Sequence, residues 1–97
     1  MTGNNGYKLF VKEYLVKIEL GLHARPSSLL VKLSSAYGIQ EGIVKTNGSI
    51  AQLNSIWGLL ILGATKGSKV TIEGLLPEEK HDKFHSELEL FFNDVDA

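Results

Sequence analysis

The spacing of glycine and proline limits this chain to short helices and strands. Residues that end helices or strands recur along its whole length: Gly21, Pro26, Gly38, Asn47-Gly48, Gly63, Gly67 and Pro77. The chain has 97 residues, of which 43% are hydrophobic and 22% charged, a composition typical of one folded domain with a modest core. We therefore expect a single globular unit built from short segments.

The apolar pattern between these breaks predicts the order β-α-β-β-α-β-α. A period of two predicts four strands, at residues 14–20, 39–46, 49–53 and 69–73. Leu9 and Val11 are compatible with a backward extension of the first strand. Asn47-Gly48 predicts a tight hairpin turn between the second and third strands. We expect an α+β fold in which a four-stranded antiparallel sheet carries three helices on one face.

The helices are predicted from apolar residues three and four positions apart. The first begins at Pro26 and ends at Gly38, the second runs from its N-cap Ser55 to Leu62, and the third opens at Pro77. The residues expected to face the core are Leu29, Leu30, Leu33, Ala36 and Tyr37 in the first helix and Phe84, Leu88, Phe91 and Phe92 in the third. Residues 1–12 are interpreted as a partly flexible N-terminal extension and residues 13–97 as the domain.

Composition excludes several classes of function. A net charge of -1 gives no broad positive field to attract nucleic acid. The absence of cysteine excludes disulfides, thiolate metal sites and cysteine nucleophiles. No apolar run is long enough to insert into a membrane and no secretory leader is recognisable, so a cytoplasmic location is expected. His81 and His85 stand four apart, but they are better explained as surface histidines, and no metal site is expected.

His23 lies where an anion would be stabilised. It stands between the strand-ending Gly21 and the helix-opening Pro26, so the first N–H groups of a helix converge near it. Arg25 adds a guanidinium group that can pair with two phosphate oxygens. A neutral imidazole there can attack phosphorus and hold the product as a phosphoramidate. From these residues alone, a loop histidine beside a solvated arginine is the competing interpretation.

The stretch Gly21-Leu22-His23-Ala24-Arg25-Pro26 resembles the active-site signature of the HPr family, the histidine-containing phosphocarriers of the bacterial phosphoenolpyruvate-dependent phosphotransferase system. The likeness extends to Asn47-Gly48 and to the stretch from Leu53 to Leu60, and it covers nearly all of residues 13–92. It implies an HPr-like open-faced sandwich and a monomeric carrier that takes a phosphoryl group from enzyme I and gives it to the IIA units of sugar transporters. Such a carrier is a substrate of other proteins rather than an enzyme, and it needs no cofactor.

The resemblance also implies roles for individual residues. His23 would be phosphorylated on Nδ1, and Arg25 together with the backbone at Ala24, Arg25 and Pro26 would hold the phosphoryl group. Ser55 matches the regulatory serine that HPr kinase/phosphorylase modifies, although helix capping also explains a serine there. The residues implied in partner docking are Ser27, Lys32, Trp57 and Leu60, with Ser28 beside them.

The chain departs from the family pattern in ways that bear on its partners. Trp57 and Leu60 replace methionines that are common on the docking helix, and Asn54 stands where lysine often precedes the serine. A nitrogen-branch relay therefore stays open beside sugar uptake. Two other interpretations also stay open: a regulatory module controlled through Ser55, and an unrelated α+β binding domain in which His23 has no role.

Overall fold

The computed structural model describes residues 6–97, which form a four-stranded sheet and three α-helices. The elements in chain order are β1 (Tyr7–Leu15), α1 (Ala24–Tyr37), β2 (Gln40–Thr46), β3 (Ser49–Gln52), α2 (Ile56–Leu62), β4 (Lys69–Pro77), a 3-10 turn (Glu78–Lys80) and α3 (His81–Asn93). The strands lie in the order β1-β4-β2-β3 and every neighbouring pair is antiparallel. The predicted fold class is confirmed.

One face of the sheet forms the floor of the core. In β4, Val70, Ile72 and Leu76 alternate with less buried residues, as expected for a strand with one covered face. From α3, the rings of Phe84 and Phe92 lie on this face, their centroids 5.1 Å from that of Phe10 and 5.2 Å from that of Tyr14, respectively. The predicted apolar stripe of the last helix is therefore confirmed.

The hairpin between β2 and β3 follows the prediction closely. Asn47 has a φ of 50° and Gly48 a φ of 80°, so both lie in the left-handed region that a tight hairpin turn requires. The two strands pair from Thr46 opposite Ser49 to Ile43 opposite Gln52.

The first strand lies earlier in the chain than predicted. β1 ends at Leu15, which pairs with Lys69, the first residue of β4, so residues 16–20 have no strand partner. The period-two pattern continues only as far as Ile18, because Val16 and Ile18 are buried in the core, whereas Leu20, predicted on the same face, is exposed. The boundary expected between residues 12 and 13 falls inside β1, and residues 1–5 lie outside the described part of the chain.

The last helix was predicted correctly only in part. Pro77 is the N-cap of the 3-10 turn Glu78–Lys80, as a helix-opening proline would be, but it is also the last residue of β4, and the α-helix begins four residues later at His81. The reason is that β1 offers a partner along its whole length, from Leu15 opposite Lys69 to Tyr7 opposite Pro77. Strand pairing therefore continues past the point where the apolar alternation was expected to stop.

The buried stripe of α1 also differs from the prediction. Leu30 is buried as expected, but Leu29 and Ala36 are exposed. The small polar residues Ser27 and Ser34 occupy buried positions instead. Residues 27, 30 and 34 follow the same three- and four-residue spacing, so the helix is correctly placed and its core-facing stripe is rotated from the predicted one.

Candidate functional site

The loop before α1 holds His23 in a defined position. Gly21 has a φ of 68°, and its N–H donates to the carbonyl of Ile18. Leu22 is buried in the core, and its N–H donates to the carbonyl of Ala64 at 2.9 Å. This hydrogen bond therefore fixes the loop that carries His23 against the loop that follows α2.

The N-terminus of α1 presents two unpaired backbone N–H groups beside His23. His23 is the N-cap residue, and its carbonyl accepts from the N–H of Ser27 at 3.0 Å. Pro26 has no N–H, so Ala24 and Arg25 supply the free donors of this turn, and no acceptor for either occurs within residues 6–97. The first turn of α1 contains no acidic residue. The positive end of the helix is thus open to an external anion.

The His23 side chain is half-buried and its hydrogen bonding defines its tautomer. Nε2 lies 3.3 Å from the backbone oxygen of Ala97. This oxygen only accepts, so Nε2 carries the proton in the neutral ring and Nδ1 holds the free lone pair. Nδ1 has no hydrogen-bond partner in the part of the chain that the structure describes. The ring is therefore arranged as a nucleophile at Nδ1.

The Arg25 side chain is available for an incoming anion. Arg25 is exposed on the first turn of α1, and none of the ion pairs formed among residues 6–97 includes it. Its guanidinium therefore does not have to break an internal ion pair to meet a phosphoryl group. A bidentate guanidinium and two backbone N–H groups form a donor set that suits phosphate oxygens.

The predicted docking residues on α1 are not all on the surface. Lys32 is exposed and Ser28 is half-buried, as a surface position requires. Ser27 is completely buried, and its hydroxyl donates to the carbonyl of Leu22 at 3.1 Å. Its predicted docking role is wrong, because a side chain enclosed by the core cannot contact a partner. Ser27 instead fixes the residue that precedes His23.

α2 presents an apolar surface to solvent. Trp57 is 76% exposed and Ile61 is 82% exposed, while Leu60 is half-buried and Leu59 is buried. Trp57 is exposed, as the docking role implied by the resemblance requires. Ile61 was not singled out, although it lies four positions after Trp57 and therefore on the same helix face. Ala97, which contacts His23, was also missed, and no sequence signal pointed to it.

Ser55 caps α2 as predicted. Its backbone is extended, and its hydroxyl oxygen accepts from the N–H of Gly58 at 2.9 Å. The capping interpretation is therefore confirmed. The side chain is half-buried, and the turn that follows contains no acidic residue.

The other two histidines are engaged in structural contacts. Burial, and secondarily the charge of Glu89, raises the pKa of Tyr14, so its hydroxyl keeps its proton and donates to Nδ1 of His85 at 2.8 Å. Nε2 of His85 lies 3.6 Å from Glu89, and Nε2 of His81 donates to the carbonyl of Leu76 at 2.9 Å. Among residues 6–97 there is no group of three or more side chains that could ligate a metal.

His23 lies half-buried at the surface. A cavity of about 490 Å³ is lined by residues of α1, β2 and β3 that include Ser34, Glu41 and Gln52, but not by His23 or Arg25. A surface position suits transfer between two proteins better than binding of a small molecule. Within residues 6–97, no helix is both long and apolar enough to span a bilayer.

Comparisons with known proteins give the family. A family model described as the PTS HPr component phosphorylation site matches residues 10–94. The phosphocarrier protein NPr of Klebsiella oxytoca is 36% identical over 61 residues, which are 63% of this chain and 68% of that protein. NPr of Escherichia coli K12 is 32% identical over 62 residues, 64% of this chain and 69% of that protein.

Solved structures match over a larger part of the chain. HPr from Thermoanaerobacter tengcongensis superposes with a TM-score of 0.73 at 26% identity, covering 90% of this chain and 98% of that one. HPr from Bacillus anthracis gives a TM-score of 0.72 at 23% identity, covering 87% and 96%. Because the family model spans most of the described residues and the fold agrees, this chain belongs to the HPr family of phosphotransferase-system phosphocarriers.

Proposed function

We propose that this protein carries a phosphoryl group on Nδ1 of His23, taking it from phospho-enzyme I and passing it to a IIA acceptor domain. One observation carries the proposal: the free lone pair of Nδ1 lies beside a helix N-terminus with two unpaired N–H groups and no competing acid. Phosphorus forms a bond to Nδ1 as its bond to the donor breaks, and the reverse occurs at the acceptor. The carrier gains the phosphoryl group in the first transfer and loses it in the second, and its partners catalyse both reactions, so we regard it as a substrate protein rather than an enzyme.

The residues around His23 are suited to both transfers. Two backbone N–H groups, of Ala24 and Arg25, and the Arg25 guanidinium compensate charge on the phosphoryl oxygens without removing the Nε2 proton. The contact between Nε2 and the backbone oxygen of Ala97 stabilises the positive charge that develops on the ring as the new P–N bond forms. We expect modest rather than tight binding of the phosphoryl group, because the site is open to solvent.

We propose that partners dock on an apolar surface formed by Trp57, Ile61 and Leu29, which we call the docking surface. All three are exposed, and Leu29 lies on α1, whose N-cap residue is His23. Exposed aromatic and aliphatic side chains of this kind commonly anchor protein interfaces. Lys32 adds a positive charge beside this surface, which suits acidic partners.

The branch of the phosphotransferase system that this carrier serves is a separate question. The relatives from Klebsiella oxytoca and Escherichia coli are both named NPr, which favours a nitrogen-branch relay over sugar uptake. We therefore propose the nitrogen-branch enzyme I and IIA domain as the first partners to test. In either branch we expect the relay to take place in the cytoplasm.

A two-step relay assay tests the proposal. The protein is incubated with phosphoenolpyruvate and either a nitrogen-branch or a sugar-branch enzyme I from its own source, and then a IIA domain is added. We expect its intact mass to rise by one phosphoryl group and to fall again when the acceptor is added, faster with the nitrogen-branch set. If neither enzyme I of the source phosphorylates it, the carrier function is contradicted.

Arg25→Ala is expected to slow phosphorylation by enzyme I by about 10- to 100-fold, because it removes a charge-assisted contact to the phosphoryl oxygens. Arg25→Lys should recover part of the rate, since lysine keeps the charge but not the two-pronged geometry. Single-turnover rates measure both effects, and Lys83→Ala, which removes an exposed positive charge from α3, serves as the control for loss of charge alone. Equal rates for Arg25→Ala and Lys83→Ala would contradict a specific role for Arg25.

The second candidate function is regulation through phosphorylation of Ser55. It is favoured by the position of the Ser55 hydroxyl at the start of α2, two residues before the exposed Trp57. A phosphate there would add about two negative charges next to the docking surface. Incubation with HPr kinase/phosphorylase and ATP, followed by acid treatment, distinguishes the two functions, because a serine phosphate survives acid and a histidine phosphate does not.

A further inference from the structure

The face of the sheet opposite the helices carries an unusual amount of aliphatic surface. We call it the open sheet face and define it by Leu9, Val11, Ile43, Lys45, Ile50 and Glu73. Leu9 is 66% exposed, Ile50 is 63% exposed, and Val11 is also exposed. A solvated face of an antiparallel sheet is normally polar, and a contiguous aliphatic surface of this kind indicates an interaction site.

Two opposite charges lie in the middle of this face. Lys45 forms an ion pair with Glu73. In the strand register, Glu73 pairs with Val11 on one side and with Ile43 on the other, and Lys45 pairs with Ile50. The centre of the open sheet face therefore contains one charge of each sign, with Thr71 and aliphatic side chains beside them, while Glu13 and Lys69, also on this face, lie nearer its edges.

We propose that the open sheet face binds a second copy of this chain. A surface with one positive and one negative charge is complementary to itself when a two-fold axis passes between the charges. Lys45 of each copy then faces Glu73 of the other, and Ile43, which pairs with Glu73 in the sheet, comes close to its own counterpart. A partner of uniform charge would leave one of the two charges opposed by a like charge, so a second copy fits this face better.

The dimensions of the sheet indicate a dimer that dissociates readily. Four strands about 4.8 Å apart and about seven residues long give a footprint of about 19 Å by 24 Å, or roughly 450 Å². Stable complexes bury about 800 Å² on each partner. We therefore expect a weak dimer whose population depends on protein concentration.

The proposed arrangement leaves the phosphoryl site free. The helices cover the opposite face of the sheet, and His23 and Trp57 belong to that helical layer. A back-to-back dimer would expose two carrier sites on opposite sides. Successive partners can therefore reach His23 in each copy of the dimer as they would in a monomer. The proposal does not depend on which partners His23 serves.

Sedimentation velocity with charge-reversed variants tests the proposal. We expect the wild type to pass from the 10.6 kDa monomer to a dimer as its concentration rises from about 10 µM to about 1 mM. Lys45→Glu and Glu73→Lys should each weaken self-association by at least about tenfold, because like charges then meet across the axis. An equimolar mixture of the two variants should restore the dimer as a heterodimer, and the double variant should dimerise alone.

A second variant separates the interface from any loss of folding. Ile50→Thr shortens an exposed side chain without adding a charge beside Lys45, its partner in the strand register, so thermal unfolding should be little affected while the dimer is weakened. Circular dichroism of every variant confirms that it is folded. The proposal is overturned if the wild type remains a monomer at all concentrations, if these variants dimerise like the wild type, or if the mixture fails to form a heterodimer.

Discussion

His23→Ala is expected to abolish phosphorylation by enzyme I, since no other side chain in this loop offers a free nitrogen lone pair. The change should have little effect on folding, because the ring is half-buried and its hydrogen bond to the backbone oxygen of Ala97, at 3.3 Å, is long. Intact-mass spectrometry after incubation with enzyme I and phosphoenolpyruvate measures the first effect, and urea unfolding measures the second. The expected result is complete loss of the adduct at nearly unchanged stability.

A matched control for His23→Ala exists on α3. His85→Ala removes an imidazole of the same size that accepts a hydrogen bond from Tyr14 and belongs to α3, not to the loop that carries His23. It should lose some stability, because the buried Tyr14 hydroxyl loses its partner, and it should still be phosphorylated. Phosphorylation of His23→Ala at the wild-type level would show that another residue is the acceptor.

Gly21→Ala is expected to lower the free energy of unfolding by about 2–4 kcal/mol, the largest stability effect of any single methyl group considered for this fold. A Cβ on Gly21 would lie 2.3 Å from the carbonyl oxygen of Ala64 and 2.9 Å from the Cα of Thr65. Both are backbone atoms, and the oxygen accepts the hydrogen bond of Leu22. The backbone φ of 68° adds strain for any residue with a side chain. The loop that positions His23 would have to move to relieve these close contacts.

Gly38→Ala is the matched control for that prediction. Gly38 has a φ of 72°, almost the same as Gly21, but a Cβ there would meet nothing within 4 Å. It should cost about 1 kcal/mol, which is the left-handed strain alone. Urea unfolding of both variants separates the cost of the positive φ from the cost of the contact with Ala64. Gly21→Ala should also slow phosphorylation, whereas Gly38→Ala should not. Equal losses of stability would contradict the packing of the Gly21 loop against Ala64.

The order of helices and strands could be predicted from the sequence, and the positions of some boundaries could not. Local signals such as Asn47-Gly48 and the Ser55 cap act within a few residues, and both predictions were correct. The ends of β1 and β4 depend instead on each other, because a strand ends where its partner ends. Pro77 illustrates the limit: it is compatible with both a helix start and the last residue of a strand.

The candidate site was predictable in its residues but not in its surroundings. His23 and Arg25 follow from the signature, and Gly21 follows from the need for a positive φ in the turn. Burial of Ser27 could not be predicted, because serine at the start of a helix is equally compatible with solvent and with a small gap in the core. The contact between His23 and Ala97 joins residues 74 positions apart, so only the folded chain shows it.

The position of the phosphoryl group on the ring tests the central claim most directly. The wild-type protein is phosphorylated with enzyme I and phosphoenolpyruvate and examined by ³¹P and ¹H–¹⁵N NMR, which distinguish the two ring isomers of phosphohistidine from phosphoserine. Because Nε2 carries the proton donated to Ala97 and Nδ1 is free, we expect only Nδ1-phosphohistidine at His23. Phosphohistidine at Nε2, or an acid-stable phosphate on Ser55 in place of the histidine adduct, would contradict the carrier geometry described above.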